Sequence, residues 1–327
     1  MKDLLGIEIG NKTIKFAQMR NGSLRNFALV DLPDDVVINN ELVAYEAMSE
    51  ILKETVKTNR FSTKNCALVL TESDVYLRRM TLPAMSEKQL MVNLPYEFKD
   101  FLSDDKDKYI YDYSMISLLK DEEDNVKEME LLGAVVSREK IEKYQEMFKR
   151  AGLRLVRAVP RETALSALVQ ILNEKEDDDF AVLDLGYRAS QVDIFKGGVY
   201  EITRTIESGG ETIENTVADI MDVDPHTAAG YLQMNKNNVQ EHERCVDIYS
   251  SIATEIMRAM NYYGFENPNS NLETLYYCGG GSLIPRFVEE IASSVSLELA
   301  PLASLSEDET EQVALTRGAA AMGACLE

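Results

Sequence analysis

The feature that most constrains this chain is a repeat of itself. Near the N-terminus an apolar run, Leu4–Ile9, meets a turn at 10–13, and residues 15–20 resume the apolar pattern. Asn21-Gly22 then supplies a two-residue hairpin turn before the run 24–30. The same order returns in the second half: Phe180–Leu185, a turn at 186–190, the run 191–195, the hairpin Gly197-Gly198, and Val199–Ile206. Two strand–turn–strand–turn–strand meanders in one polypeptide predict duplicated α/β halves packed around a cleft.

The remainder of the chain fits between and after these copies. Apolar residues at helical spacing, Leu42, Val43, Ala47, Met48, Ile51 and Leu52, predict a helix over 41–58, and 65–71 reads as a buried strand. The character changes after Tyr76. A helix introduced by Ser86, two hairpin-like strands at 109–119 and 129–136, an amphipathic helix over 137–151 closed by Gly152, and a strand at 153–158 read as a small inserted α/β unit. EKEDDD at 174–179 reads as an acidic surface linker. Helices follow Gly209-Gly210 as far as Met234 and again over 241–263. Strand 275–278 then opens on Gly279-Gly280-Gly281-Ser282, ahead of a helix ending near Ser294.

Composition excludes several classes of function. Lys+Arg 34 against Asp+Glu 56 leaves a formal charge of −22, a field that repels phosphate backbones, so nucleic acid is not an expected partner. His226 and His242 are the only histidines, too few for a three-histidine metal site. Cys66, Cys245, Cys278 and Cys325 show no paired spacing, which predicts free thiols. Acidic runs at Asp104, Asp105, Asp107 and 121–124 lack EF-hand spacing. No stretch reaches the ~20 apolar residues of a membrane span, and the start of the chain lacks a basic signal-peptide region. A cytoplasmic location is the expectation.

Three glycine-marked turns, each directly after an apolar strand, are the candidate chemistry. In GIEIGNKTIK, Gly10 permits close backbone approach, successive amides can form an anion nest, and Lys15 lies on the next strand. DLGYRAS, 184–190, occupies the equivalent place in the second half. The triple glycine before a helix can hold an anion or the edge of a base. Arg258, within an apolar helix, reads as a structural ion-pair partner or a residue reaching toward this cleft.

Taken in order along nearly the whole chain, these motifs resemble the PilM family of type IV pilus assembly proteins, relatives of the division protein FtsA within the actin-like ATPase superfamily. The resemblance rests on GIEIGNKTIK, LPAMSEKQL, YIYDYSM, REKIEKYQEMFKRAGL, VLDLGYRASQ, ITRTIESGGETI, EIMRAMNYYGF, YYCGGGSLIPRF and ALTRGAAAMGA. It implies an actin-like fold of two RNase H-like halves: subdomain 1A at 1–76 and 159–178, an inserted 1C at 77–158, 2A at 179–214 and 274–327, and 2B at 215–273. By the same likeness, ATP would meet Gly10, Asn11, Lys12, Thr13, Lys15, Asp184, Gly186, Arg188, Ser190, Gly209, Gly210, Gly279, Gly280, Gly281 and Ser282. Glu8 and Asp184 would face Mg²⁺, and Glu162 would position an attacking water.

The chain departs from the pattern. Glu8 stands for Asp, Lys12 for a small hydroxyl residue, and Tyr187 and Arg188 add bulk. Gly230 and Gln233 stand where the family grips ribose and adenine with charged groups. Each lost charge-assisted hydrogen bond removes roughly 1.5–3 kcal/mol, so the expectation is weak or conditional ATP binding without robust hydrolysis. The resemblance further implies a scaffold at the inner face of the cytoplasmic membrane that docks the N-terminal tail of a PilN-like membrane protein between 1A and 1C. Other pilus assembly proteins are expected partners, and self-association is left open. The alternatives are an active actin-like ATPase or an FtsA-like division protein. The latter would need a basic amphipathic C-terminal helix, and none is found in AAAMGACLE.

Overall fold

Both meanders form where the hydrophobic spacing places them. The computed structural model describes residues 3–38, 40–102, 105–173 and 178–326; Asp104 and residues 174–177 of the acidic linker fall outside these ranges. β1 (Leu4–Ile9), β2 (Thr13–Arg20) and β3 (Ser23–Asp31) run antiparallel. The β2–β3 turn puts Asn21 and Gly22 in the left-handed region, with φ of 54° and 82°. This mirrored turn matches the natural twist of a hairpin. A short ribbon of β4 (Val37–Ile38) and β5 (Glu41–Leu42) precedes α1 (Tyr45–Thr58), so the helix begins later than residue 41. β6 (Asn65–Leu70), buried from Cys66 onward, pairs parallel with β1.

The chain then leaves the first half. β7 (Val75–Pro83), α2 (Glu87–Glu97), β8 (Tyr109–Lys120) and β9 (Val126–Ser137) build a separate antiparallel sheet of order β7-β9-β8. Leu90, Leu94 and Phe98 cover it by packing on Met80, Leu82, Leu131 and Val135. α3 (Arg138–Arg150) and β10 (Arg154–Pro160), read from the sequence as the end of this inserted unit, return to the first half instead. Tyr144, Met147 and Phe148 of α3 bury against Met48 and Leu52 of α1, and β10 pairs parallel with β6. An amphipathic helix specifies that it covers a core; which core it covers is set by the chain path.

After α4 (Arg161–Leu172), the second half repeats the first. β11 (Phe180–Leu185), β12 (Ser190–Lys196) and β13 (Val199–Ile206) form the meander, with Gly197 and Gly198 at φ 56° and 70° in the matching turn. α5 (Gly210–Met221), α6 (Pro225–Gln233) and α7 (Glu243–Glu266) lead to β14 (Thr274–Cys278), α8 (Pro285–Ser294), β15 (Glu298–Pro301) and α9 (Glu309–Gly323). The sheet orders are β3-β2-β1-β6-β10 and β13-β12-β11-β14-β15, the same topology twice.

α4 and α9, each following the last strand of its half, lie between the two sheets in one shared core. Val169, Leu168, Ala320 and Met322 meet Val69, Val182 and Phe195 there. The approach is so close that a Cβ on Gly6 would fall 1.7 Å from the Ala321 carbonyl oxygen. α1 and α3 cover the outer face of the first sheet, and α5 to α8 cover that of the second.

Candidate functional site

The closing pairs of the two hairpins define the site. β1 and β2 pair out to Ile9 with Ile14, and β11 and β12 pair out to Leu185 with Ser190. Counted from there, Gly10, Asn11, Lys12 and Thr13 correspond to Gly186, Tyr187, Arg188 and Ala189. The first turn is held by the Gly10 amide, which donates to the Thr13 carbonyl at 3.0 Å. The hairpins face each other, with the Lys12 ammonium 4.8 Å from the centre of the Tyr187 ring. The triple-glycine loop packs directly on the second hairpin. A Cβ on Gly279 would lie 2.4 Å from Asp184 Oδ1 and 2.6 Å from the Leu185 carbonyl oxygen, and its φ of 90° is itself a glycine conformation. Gly280 has open space beside it, and Ser282 Oγ donates to the Gly279 carbonyl at 2.6 Å. All three turns therefore meet in one cleft.

Several expected ligand contacts already have partners inside the protein. Gly209 lies against the second hairpin, and the Gly210 and Glu211 amides donate to the carbonyls of Gly186 (3.0 Å) and Tyr187 (2.8 Å). Ser190 is fully buried, its hydroxyl donating to the Ser208 carbonyl at 3.0 Å, which braces the hairpin from within. Asn11 Oδ1 accepts from the Asn40 amide, tying the first hairpin to the β4–β5 turn. Arg258 pairs on the surface with Glu255 of its own helix at 2.5 Å and does not reach inward.

Charge at the site follows one rule: each cation already holds a carboxylate. Lys12 Nζ donates to both oxygens of Glu214 on α5, at 2.5 and 2.6 Å. Lys15 Nζ meets Glu8 Oε1 at 2.5 Å, and Arg188 lies 3.5 Å from Glu211. Burial pushes the Glu214 carboxyl above its ordinary range, with Lys12 opposing the shift. These cations suit phosphate, and Gly280 has open space beside it, so the residues fit a nucleotide provided that Lys12 and Lys15 exchange partners. Neither Glu8 nor Asp184 is an open metal ligand. Lys15 holds the first, and Arg161 lies 3.6 Å from the second. Among the described residues, no three Asp, Glu, His or Cys side chains are grouped to hold a metal.

Beneath the cleft lies a network that sequence reasoning missed. Arg161, 5% exposed at the start of α4, reaches from the first half into the second and bonds Asp193 on β12 at 2.9 Å. Thr203 Oγ1 donates to the same carboxylate at 2.6 Å. Glu162 is 3% exposed and lies 3.7 Å from Arg161. Burial pushes its carboxyl up to about 7, Arg161 opposes this, and Asp193 and Glu72 add to it. Burial likewise raises Asp193. The available signal was Asp193 itself, an acid at an inward position of the apolar strand QVDIF. Glu72 also crosses the cleft, accepting from Gln191 Nε2 at 2.9 Å and Thr205 Oγ1 at 3.1 Å.

Comparison with known proteins places this geometry. A solved PilM-PilN type IV pilus biogenesis complex is similar over 99% of this chain and 98% of that one, with a TM-score of 0.83 at 20% identity. The ethanolamine utilization protein EutJ from Carboxydothermus hydrogenoformans follows at TM-score 0.61 and 16% identity, over 98% and 88% of the two chains. An activator of 2-hydroxyisocaproyl-CoA dehydratase from Clostridium difficile, solved with bound ADPNP, gives 0.51 at 11% identity, over 99% and 93%. The fold is thus the actin-like ATPase fold that the family resemblance implied. No curated protein matches the chain. The model of the family described as type IV pilus assembly protein PilM matches residues 6–320, nearly the full length, and the chain belongs to that family.

Proposed function

We propose that this chain is an assembly scaffold of a type IV pilus, or of a related competence or secretion machine. It would work at the inner face of the cytoplasmic membrane by docking the N-terminal tail of a PilN-like membrane protein. Family membership and the similarity to a PilM-PilN complex support the reading. The observation that carries it is an exposed aromatic patch where the inserted sheet leaves the first half. Tyr76 at the start of β7 is 53% exposed and Phe101 after α2 is 55% exposed, with ring centres 6.4 Å apart. The Arg78 guanidinium lies 5.7 Å from the Phe101 ring. Half-exposed aromatic and Arg side chains are the residue types that anchor interfaces. They lie where 1A and 1C are expected to join, the place proposed for the tail.

In this reading the cleft binds ATP with Mg²⁺ weakly or conditionally, because phosphates must displace protein carboxylates from Lys12 and Lys15. The metal would arrive with the phosphates. Calorimetric titration with a PilN-like tail peptide tests the docking role. Binding is expected, and Phe101→Ala should weaken it about tenfold or more, the loss of a central anchor. No heat at high-micromolar peptide overturns the proposal.

A further inference from the structure

The N-terminal end of α5 occupies the site with the protein's own groups. Its leading amides, on Gly210 and Glu211, donate to carbonyls of the second hairpin. Its two carboxylates, Glu211 and Glu214, stand three residues apart on one helix face. Each takes the cation at the equivalent position of one hairpin: Glu211 faces Arg188 of the second, and Glu214 holds Lys12 of the first with both oxygens. Lys12 is further fixed over the Tyr187 ring. One helix turn therefore neutralises both hairpins at once, and the Lys12–Glu214 pair spans 202 residues of sequence to close the cleft from one half to the other.

We infer that Glu214 is a built-in competitor for phosphate: its carboxylate occupies Lys12 until a polyanion displaces it, and it sets the affinity of the cleft for nucleoside phosphates. This rests on the reading that the cleft takes a nucleotide. The physical argument is one of exchange. A carboxylate and a phosphate oxygen compete for the same ammonium, and Glu214 is tethered in place, at high effective concentration. It also adds a negative charge that a bound phosphate would face across the cleft. Replacing it with an uncharged amide of the same shape removes both effects and leaves Lys12 available.

The test compares wild type, Glu214→Gln and Lys12→Met for ATP binding in the presence of Mg²⁺, by calorimetry, with thermal unfolding confirming that each variant is folded. The expected result is binding about tenfold or more tighter in Glu214→Gln and weaker in Lys12→Met. If the pair were merely structural, both substitutions would break it and both would move affinity the same way. Parallel changes, or unchanged affinity in Glu214→Gln while wild type binds, overturn the inference and leave the nucleotide reading standing. An absence of binding by all three proteins at millimolar ATP overturns that reading, and the inference with it.

Discussion

Arg161 shows how one side chain sets the character of its surroundings. It is the cation for three acids, Asp193, Asp184 and Glu162, in a region nearly closed to water. A buried pair of this kind adds little net stability against an apolar alternative, but removing one partner strands the other charge. The excess of acid has a consequence at Glu162. Its carboxyl is pushed up to about 7 from an ordinary 4.5, chiefly by burial. Between those values the folded protein holds a proton that the unfolded chain has released, so the contribution is fully present below pH 4.5. It is lost as pH rises through 7, and the full change is on the order of 3 kcal/mol. Glu162→Gln cannot ionise, so thermal unfolding from pH 5 to pH 8 should show a smaller fall in stability for the variant than for wild type. Equal falls would assign the titration to another group.

At the scale of elements, the fold depends on helices that touch strands at backbone distance. α9 crosses β1 at Gly6 and α4 at Gly323, where added Cβ atoms would lie 1.7 Å and 1.9 Å from carbonyl oxygens. Both neighbours are backbone and cannot rotate aside. Gly6→Ala is expected to destabilise by about 3 kcal/mol or more, at the upper end of overpacking, read as a lower midpoint in chemical denaturation. Gly230→Ala supplies the contrast, since nothing lies within 4 Å of its added carbon. There the helix should gain up to about 1 kcal/mol from the better helix former. An unchanged midpoint in Gly6→Ala would refute the close-packed crossing. The elements themselves were legible where a local rule governs them: the Asn21-Gly22 and Gly197-Gly198 turns, the helix start at Ser86 and the period of α3. The partners of α3 and β10 were not, because an amphipathic helix carries no record of which sheet it will cover.

On the scale of the whole molecule, charge and cross-half contacts dominate. A formal charge of −22 is spread over a chain in which no described helix is long and apolar enough to cross a membrane. Anionic vesicles should therefore leave the purified protein in the supernatant at physiological ionic strength, and pelleting should require a membrane-anchored PilN-like tail. Co-sedimentation checks this, and pelleting without the tail would revive direct membrane attachment. The halves are joined across the cleft by Lys12–Glu214, by Glu72 with Gln191 and Thr205, by Arg161–Asp193, and by Arg79 of the inserted unit with Glu201 of β13.

The sequence by itself determined the duplication, the three glycine turns and their order, because strand period, turn chemistry and close backbone approach are written in neighbouring residues. Only the tertiary structure decided what the site's charges do. Lys12 could be read as a phosphate ligand, and nothing within the first hairpin announces that Glu214, 202 residues away, already holds it. Ion pairs between distant elements depend on separation in space, whereas sequence records only neighbours along the chain.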